Sequence, residues 1–336
     1  MPLKLRLART ASILERVFDA IIPRRAYGNA EIDPYLGLAT PKQIILRGRV
    51  LSRKVIKTEV HFEDDPSRWR NFKTMVALFN TREIPNVRVS HNEHETWTDE
   101  EGYFELILPR PTSMSGWLDH TVSFGTCATE TTLKALLPSA EAKVGIISDI
   151  DDTLIKTDAW SLRRNLWNSL TGDVNSRYVF PDAIKLIQSL HNGVNPVYYV
   201  SSSPWNMHEF LTDVFERAGL VKGPKFLRDL GISDRKFVTG SHGQHKGDAI
   251  DEILAANPEL SFILLGDTGQ HDAHVYYDAI KRHPGRIQKV ILRAATPKLS
   301  KENQIWVDKI STTKIPIFVG ESYEPLLEKK SLPSTK

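Results

Sequence analysis

The chain has 336 residues, enough for two domains, and its 40% apolar content can bury ordinary cores. A formal charge of +3 from 44 basic and 41 acidic side chains, with no basic stripe interleaved with aromatics, excludes a dedicated nucleic-acid binder. The single cysteine, Cys127, excludes internal disulfides and favours a reducing compartment, and no apolar run approaches the length of a membrane span.

Residues 1–28 carry Lys4, Arg6, Arg9, Arg16, Arg24 and Arg25 against Glu15 and Asp19, interspersed with Leu, Ile, Val and Phe. A continuous apolar core and a small-residue cleavage site are both missing, so this is not a secretory signal. Two readings stand: a basic amphipathic helix on anionic lipid, or a helix packed on the body of the protein. Residues 30–137 read as a β-rich module. Gln43–Leu51 and Asn86–Ser90 are strand-like, and Glu95–Leu108 reads as two alternating strands around a turn at Asp99–Gly102. A helix is expected over Pro66–Phe79. His91 and His94 read as a polar strand edge rather than a metal pair. The turn wording Trp97-Thr-Asp-Glu-Glu-Gly-Tyr-Phe104 resembles small β-sandwich modules like the carboxypeptidase regulatory domain, and such a module either packs on the rest of the chain or presents a protein partner.

The next apolar strand, Val144–Ser148, runs into Asp149-Ile150-Asp151-Asp152-Thr153, three carboxylates within four positions. Neighbouring carboxylates raise one another's pKa, so the cluster needs a cation. A hard divalent ion such as Mg²⁺ would relieve the repulsion, and a carboxylate beside it at a strand end can accept a phosphoryl group. A Ca²⁺ loop of the EF-hand kind is disfavoured, because counting from Asp149 the positions for Gly and Glu hold Leu154 and Trp160. Downstream, Val197–Val200 ends in Ser201-Ser202-Ser203-Pro204-Trp205-Asn206. Lys246-Gly247-Asp248 opens the amphipathic segment Ala249–Leu254, and Phe262–Leu265 ends in Gly266-Asp267-Thr268-Gly269-Gln270-His271-Asp272. Each polar group sits just past a strand or at a helix start, where open α/β sheets gather their sites.

These four groups resemble the motifs of the haloacid dehalogenase-like phosphotransferases, over residues 140–325. The wording Asp149-Ile-Asp-Asp-Thr-Leu-Ile-Lys156-Thr157, with Tyr-Val-Ser-Ser-Ser-Pro-Trp-Asn206 and Gly-Asp-Thr-Gly-Gln-His-Asp272, is similar to the phosphatidate phosphatases of the actin-patch-protein type. The resemblance implies Asp149 as nucleophile and Asp151 as general acid, then base. It implies Ser201 on a phosphoryl oxygen and Lys246 neutralising charge, with Thr153, Ser202 and Lys156 at the substrate. Mg²⁺ would be held by Asp149, Asp151 through its carbonyl, and Asp267, with Asp272 as ligand or support. Asp152 is expected to face away. Which of Ser201, Ser202 and Ser203 meets phosphate stays open. Ser201 is preferred because it follows the last apolar residue, whereas Ser202 and Ser203 also suit the turn before Pro204. Lys225 is second to Lys246, since Gly-Pro-Lys reads as a turn. Asp272 also suits a helix cap.

The fold expected is α/β: a Rossmann-like doubly wound parallel sheet of the haloacid dehalogenase-like type with a minimal cap, preceded by a small β-sandwich-like domain. Its strands lie near Val144–Ser148, Val197–Val200, Lys236–Val238, Phe262–Leu265, Lys289–Leu292 and Ile317–Val319, and residues 326–336 form a tail. The stretches after Thr153 and after Ser203 are too short for a cap domain, so the site is open, which suits a large substrate such as a lipid bilayer. The insert Asp158–Leu170 reads as an amphipathic helix packed on the sheet, or as a lipid-docking helix with Trp160 and Trp167 at the interface. Trp205 either touches substrate or closes the core. Zinc at His242 and His245, or at His271 and His274, is disfavoured beside an oxygen-rich site. The function expected is Mg²⁺-dependent hydrolysis of phosphatidate to diacylglycerol and phosphate, in the cytoplasm or peripherally at the inner membrane surface. A phospholipid or membrane surface is the partner, with a protein partner through the β module left open. The alternatives are a soluble or protein-borne phosphate, or a non-catalytic interaction protein.

Overall fold

The structure is a computed structural model that describes residues 30–52, 82–111, 114–125, 130–156, 179–228, 242–294, 296 and 299–331. The segment 1–28, the helix expected over 66–79, Cys127, the insert 158–170 and the strand expected over 236–238 lie outside the described residues.

The first sheet holds β1 (Ala30–Ala39), β2 (Gln43–Ser52), β3 (Arg82–Glu83), β4 (Arg88–His91), β5 (His94–Trp97), β6 (Tyr103–Pro109), β7 (Gly116–Phe124) and β8 (Glu130–Leu137). They run in the order β3-β2-β1-β8-β7-β4-β5, with β6 also on β2. β1 and β8 pair in parallel and the other pairs are antiparallel. Period-two alternation buries Phe104, Leu106 and Leu108 of β6. They share one core with Ile44, Leu46 and Val50 of β2 and with Val122, Phe124 and Leu133. The β-rich content is as expected, but the strands form one hydrogen-bonded sheet around that core.

The two strands and the turn expected around Asp99–Gly102 form, the Gly102 N–H donating to the Asp99 carbonyl at 3.1 Å, but the strands pair with others. β5 pairs with β4 and β6 pairs with β2. The buried Thr98 turns the chain between them: its N–H donates to the Val87 carbonyl at 2.9 Å and its hydroxyl to the Ile84 carbonyl at 2.8 Å. Alternation identifies a strand locally, but its partner is chosen by distant residues.

The second sheet is wholly parallel and contains β9 (Val144–Asp149), β10 (Val197–Pro204), β11 (Lys225–Arg228), β12 (Ser261–Asp267), β13 (Ile287–Arg293) and β14 (Ile317–Gly320). Its order is β11-β10-β9-β12-β13-β14, so the winding direction reverses between β9 and β12. The connecting helices are α1 (Pro181–His191), α2 (His208–Ala218), α3 (His242–Ala256), α4 (Asp272–Arg282) and α5 (Lys301–Ser311), with α6 (Glu324–Ser331) at the end. Strand alternation divides the core. Ile147, Tyr198 and Leu264 face α3, α4 and α5, whereas Ile146, Tyr199 and Leu265 face α1, α2 and α6.

Two expectations are corrected here. Lys225, read as part of a turn, opens the edge strand β11 and is buried, its ammonium 3.1 Å from the Thr212 hydroxyl. The tail expected from residue 326 begins instead inside α6, where Leu326 and Leu327 pack on the second core.

Gly145 is set by a close approach. A Cβ there would lie 2.2 Å from the ring of Phe262, its cross-strand neighbour. Gly145→Ala is expected to cost about 1–3 kcal/mol, measured by urea unfolding, and Phe262→Leu in the same chain should recover much of the loss. A full cost that persists in the double variant would show that the ring is not the obstacle.

The two sheets share a core boundary. Leu38 of β1 and Leu136 of β8 join the cluster under α3, and Arg47 of β2 ion-pairs with Glu252 of that helix.

Candidate active site

The carboxylate run folds at the tip of β9, beside the reversal point. Asp149, Asp151 and Thr153 are all buried. The chain turns sharply after them: Asp152 takes φ 58, a left-handed conformation that Asp tolerates, and the Leu154 and Ile155 N–H groups both donate to the Ile150 carbonyl at 3.0 Å. This turn aims the Thr153 hydroxyl at Asp149 Oδ2, 3.2 Å away.

Lys246, in the second turn of α3, is 4% exposed. Its ammonium lies 2.7 Å from Asp149 Oδ1 and 2.5 Å from Asp272 Oδ1. Asp272 opens α4 and accepts the Asp267 N–H on its other oxygen at 3.1 Å. Asp267 Oδ1 accepts the Gly269 N–H at 2.5 Å and the Gln270 N–H at 2.8 Å, while its buried Oδ2 has no partner. A Cβ on Gly266 would meet Asp272 Oδ2 at 2.6 Å and the Tyr276 hydroxyl at 2.7 Å, so the loop depends on glycine here.

The electrostatics follow from burial. Desolvation pushes the Asp149 carboxyl well above its ordinary value, Asp272 adds to this, and Lys246 opposes it. Desolvation and Asp272 likewise raise Asp267, against Lys246 and the two N–H groups. Burial alone would lower the Lys246 ammonium, but Asp149, Asp272 and Asp267 outweigh it and hold it above its usual value. One ammonium does not neutralise three carboxylates. Asp149, Asp267 and Asp272 each offer an oxygen within 4.8 Å of the others. Together with the unpartnered Asp267 Oδ2, this all-oxygen donor set fits a hard divalent cation such as Mg²⁺.

Asp151 stands apart from that group. Its Oδ2 accepts the Ser201 hydroxyl at 2.6 Å and the Ser203 hydroxyl at 3.1 Å, and Ser201 Oγ accepts the Ser203 N–H at 2.9 Å. Ser201 was expected on a phosphoryl oxygen, but its hydroxyl is used inside the protein. Ser203, read as a turn former, is a second support for Asp151. The Ser202 hydroxyl is buried without a partner, and Lys156 is exposed with no contact to the cluster.

Sequence reasoning missed the layer beneath. Arg293, at the end of β13, donates from Nε to the Thr153 carbonyl at 3.2 Å and from Nη2 to Asp182 Oδ1 at 2.8 Å. Its guanidinium lies between the rings of Phe180 and Tyr323, 3.9 and 4.1 Å from their centroids. A charged residue directly after the apolar run Val290–Leu292 was the available signal.

Among the described residues, none of the histidine pairs contributes to a three-ligand group. His91 faces His94 across β4 and β5, and His274 stacks on Trp306 at 3.9 Å.

His208, at the start of α2, is buried under Tyr35, and burial with the nearby Lys225 lowers its pKa from 6.5 to about 3. The unfolded chain therefore takes up a proton below pH 6.5 that the folded chain refuses. Stability is intact above pH 6.5 and falls as pH drops toward the folded value. At about 1.4 kcal/mol per pH unit, the His208 contribution falls by about 2 kcal/mol from pH 7.5 to 5.0. Urea titrations at the two pH values should show His208→Phe losing that much less stability than wild type, and equal losses would refute the assignment.

Comparison with known proteins finds a family model that matches the stretch bearing the site. Residues 144–294 match the family model described as phosphatidate phosphatase APP1, catalytic domain. The chain is similar to phosphatidate phosphatase APP1 of Saccharomyces cerevisiae, 31% identical over 160 residues, which are 47% of this chain and 27% of that protein. It is also similar to an uncharacterised protein of Schizosaccharomyces pombe, 22% identical over 212 residues, 60% of this chain and 34% of that one. The chain thus spans no more than 34% of the length of these curated relatives. A ferredoxin-NADP+ reductase structure from Plasmodium falciparum aligns over 79% of this chain and 94% of its own with a TM-score of 0.21 and 7% identity, too slight a likeness to bear on the fold. Residues 144–294 thus match the model of the family that their wording resembles.

Proposed function

We propose that this chain is a phosphatase that cleaves phosphatidate through an aspartyl phosphate on Asp149, with Mg²⁺ as cofactor. The observation that carries the reading is Lys246 held 2.7 Å from Asp149 and 2.5 Å from Asp272, in a stretch that matches a phosphatidate phosphatase catalytic domain. The strand order, with the site at the reversal point, supports a haloacid dehalogenase-like sheet.

In this reading an Asp149 carboxylate oxygen attacks phosphorus, and the bond to the glycerol oxygen breaks. Asp151 gives its proton to the leaving alkoxide, releasing diacylglycerol. Water then attacks phosphorus and passes a proton to Asp151, the bond to Asp149 breaks, and phosphate leaves with both carboxyl groups restored. Ser201 and Ser203 occupy Asp151 Oδ2, so Oδ1 is the oxygen that carries the proton. Lys246 offsets negative charge at Asp149, and Ser202, whose hydroxyl has no internal partner, is the serine left to meet a phosphoryl oxygen. Asp149 and Asp267 would hold the metal, with the Asp151 carbonyl as a further donor. Asp272, already bonded at both oxygens, would brace them or ligate on exchange. When bound, the ion supplies positive charge at the phosphoryl oxygens. No helix among the described residues is long and apolar enough to cross a membrane. We place the lipid encounter peripherally, at a cytoplasmic membrane surface.

The test is phosphate release from phosphatidate in mixed micelles, with Mg²⁺ and with chelator, beside a soluble aryl phosphate. Turnover of the lipid that disappears with chelator supports the reading. Turnover of the aryl ester alone would keep the chemistry and remove the lipid, and turnover of neither would remove both.

A further inference from the structure

The serine run at the end of β10 is poorly held by its own sheet. Regular pairing of β10 with β9 ends at Val200 opposite Asp149, and its pairing with β11 is irregular between Val200 and Pro204. Ser201 and Ser203, which hold Asp151, lie in that gap. The turn that follows, Trp205–Met207, is gripped from the first sheet. Tyr35 of β1, 3% exposed, stacks on Trp205 at a centroid distance of 4.4 Å and an interplanar angle of 11°. Arg49 of β2, 4% exposed, donates from Nη1 to Asn206 Oδ1 at 3.0 Å. Arg49 is itself locked: Nε donates to the Glu101 carbonyl at 2.8 Å, Nη2 pairs with Glu83 at 2.9 Å, and the guanidinium lies 4.4 Å over the ring of Tyr103.

We propose that the first sheet is a positioning element for the reaction: Arg49 and Tyr35 clamp Asn206 and Trp205, and so hold Ser201 and Ser203 on Asp151. The physical argument is one of lever and anchor. Asn206 lies three residues from Ser203, so movement at the turn is transmitted to the two hydroxyls that orient the Asp151 carboxyl. A buried guanidinium locked by three other contacts is a rigid anchor, and stacked aromatic rings limit sliding. Trp205 is thereby assigned to holding the site rather than to touching substrate. Arg49, Tyr35, Trp205 and Asn206 are positioning residues, and the inference rests on the reading of Asp151 as the proton donor.

That role has a signature that loss of packing lacks. An alkyl leaving group needs the proton from Asp151, whereas a nitrophenolate leaves with little help. The experiment is single-turnover release of the leaving group, with enzyme in excess, from phosphatidate and from 4-nitrophenyl phosphate. The chains are wild type, Asn206→Leu, Arg49→Met, Asn206→Asp and the surface control Arg88→Gln, with thermal melts for all. Asn206→Leu and Arg49→Met should slow release from phosphatidate by about 10- to 100-fold and from the aryl ester by less than about threefold. Asn206→Asp keeps an acceptor for Arg49 and should recover most of the lipid rate, and Arg88→Gln should match wild type. Asn206 is only half-buried, so its variants carry the test if Arg49→Met fails to fold. Wild-type rates in the variants would overturn the clamp, as would equal losses on both esters with a lowered melting temperature. Wild type inactive on both esters would instead overturn the proposed function, and the clamp with it.

Discussion

Asp149→Asn is expected to abolish phosphate release, by more than about a thousandfold, while raising the melting temperature in metal-free buffer. The two effects have one cause. Asp149 is fully buried beside Asp272 and Asp267, and one ammonium serves the group. The carboxyl pKa is raised in the folded state, first by burial and then by Asp272. A raised acid favours the folded state at low pH, and that advantage is lost as pH rises through the folded pKa. At neutral pH without a cation the wild-type cluster is therefore strained, and an amide removes one repelling charge. Asparagine still accepts from Thr153, and Lys246 still has Asp272. The amide cannot serve as nucleophile. Melting curves with and without Mg²⁺ give the second reading: wild type should gain more from the ion than Asp149→Asn does. Residual turnover near wild type would reject Asp149 as nucleophile. A lower metal-free melting temperature would reject the repulsion argument.

Asp182→Ala is expected to destabilise the protein by about 3–5 kcal/mol. Asp182 Oδ1 accepts from Arg293 at 2.8 Å, and Oδ2 accepts from the Ser322 hydroxyl at 2.9 Å and the Tyr323 N–H at 2.6 Å. Burial would raise this carboxyl, but the Arg293 and Tyr323 bonds outweigh it and hold it below its usual range. The pair's contribution is thus present at neutral pH and lost as pH falls through the folded pKa. Truncation leaves a guanidinium buried between two rings with its charge unmatched. Asp182→Asn keeps the acceptor and should cost less. Urea midpoints for the three chains decide the matter, and a cost for Asp182→Ala below about 1 kcal/mol would show that Arg293 is satisfied by carbonyls alone. Arg293 also holds the Thr153 carbonyl, so activity should fall in the variant below its unfolding temperature.

Much of the site was legible before the fold was known. Asp149, Ser201, Lys246, Asp267 and Asp272 were each found at the end of an apolar run or the start of a helical one, and the structure brings all but Ser201 into one cluster. Ser201 reaches Asp151 instead. The runs that became β9, β10, β12, β13 and β14 were visible because each carries a stretch of consecutive, mostly apolar residues, as strands of a sheet covered on both faces do. β11 escaped notice because it is a four-residue edge strand behind Gly-Pro, and its buried lysine is sheltered by α2, a neighbour no local pattern announces.

Residue type and spacing thus marked the candidate groups: carboxylates after strands, a lysine near the start of a helix, and glycine where backbone and side chains crowd. Those signals are local, set by strand period and helix geometry. The partners were decided elsewhere. The strand that β5 joins, the attachment of Ser203 to Asp151, the seat of Arg293 against Thr153 and the grip of Arg49 on Asn206 all join residues far apart along the chain or on separate strands. Such contacts arise when whole sheets and helices pack, and the free energy that selects them is shared across the cores instead of being written in any one segment.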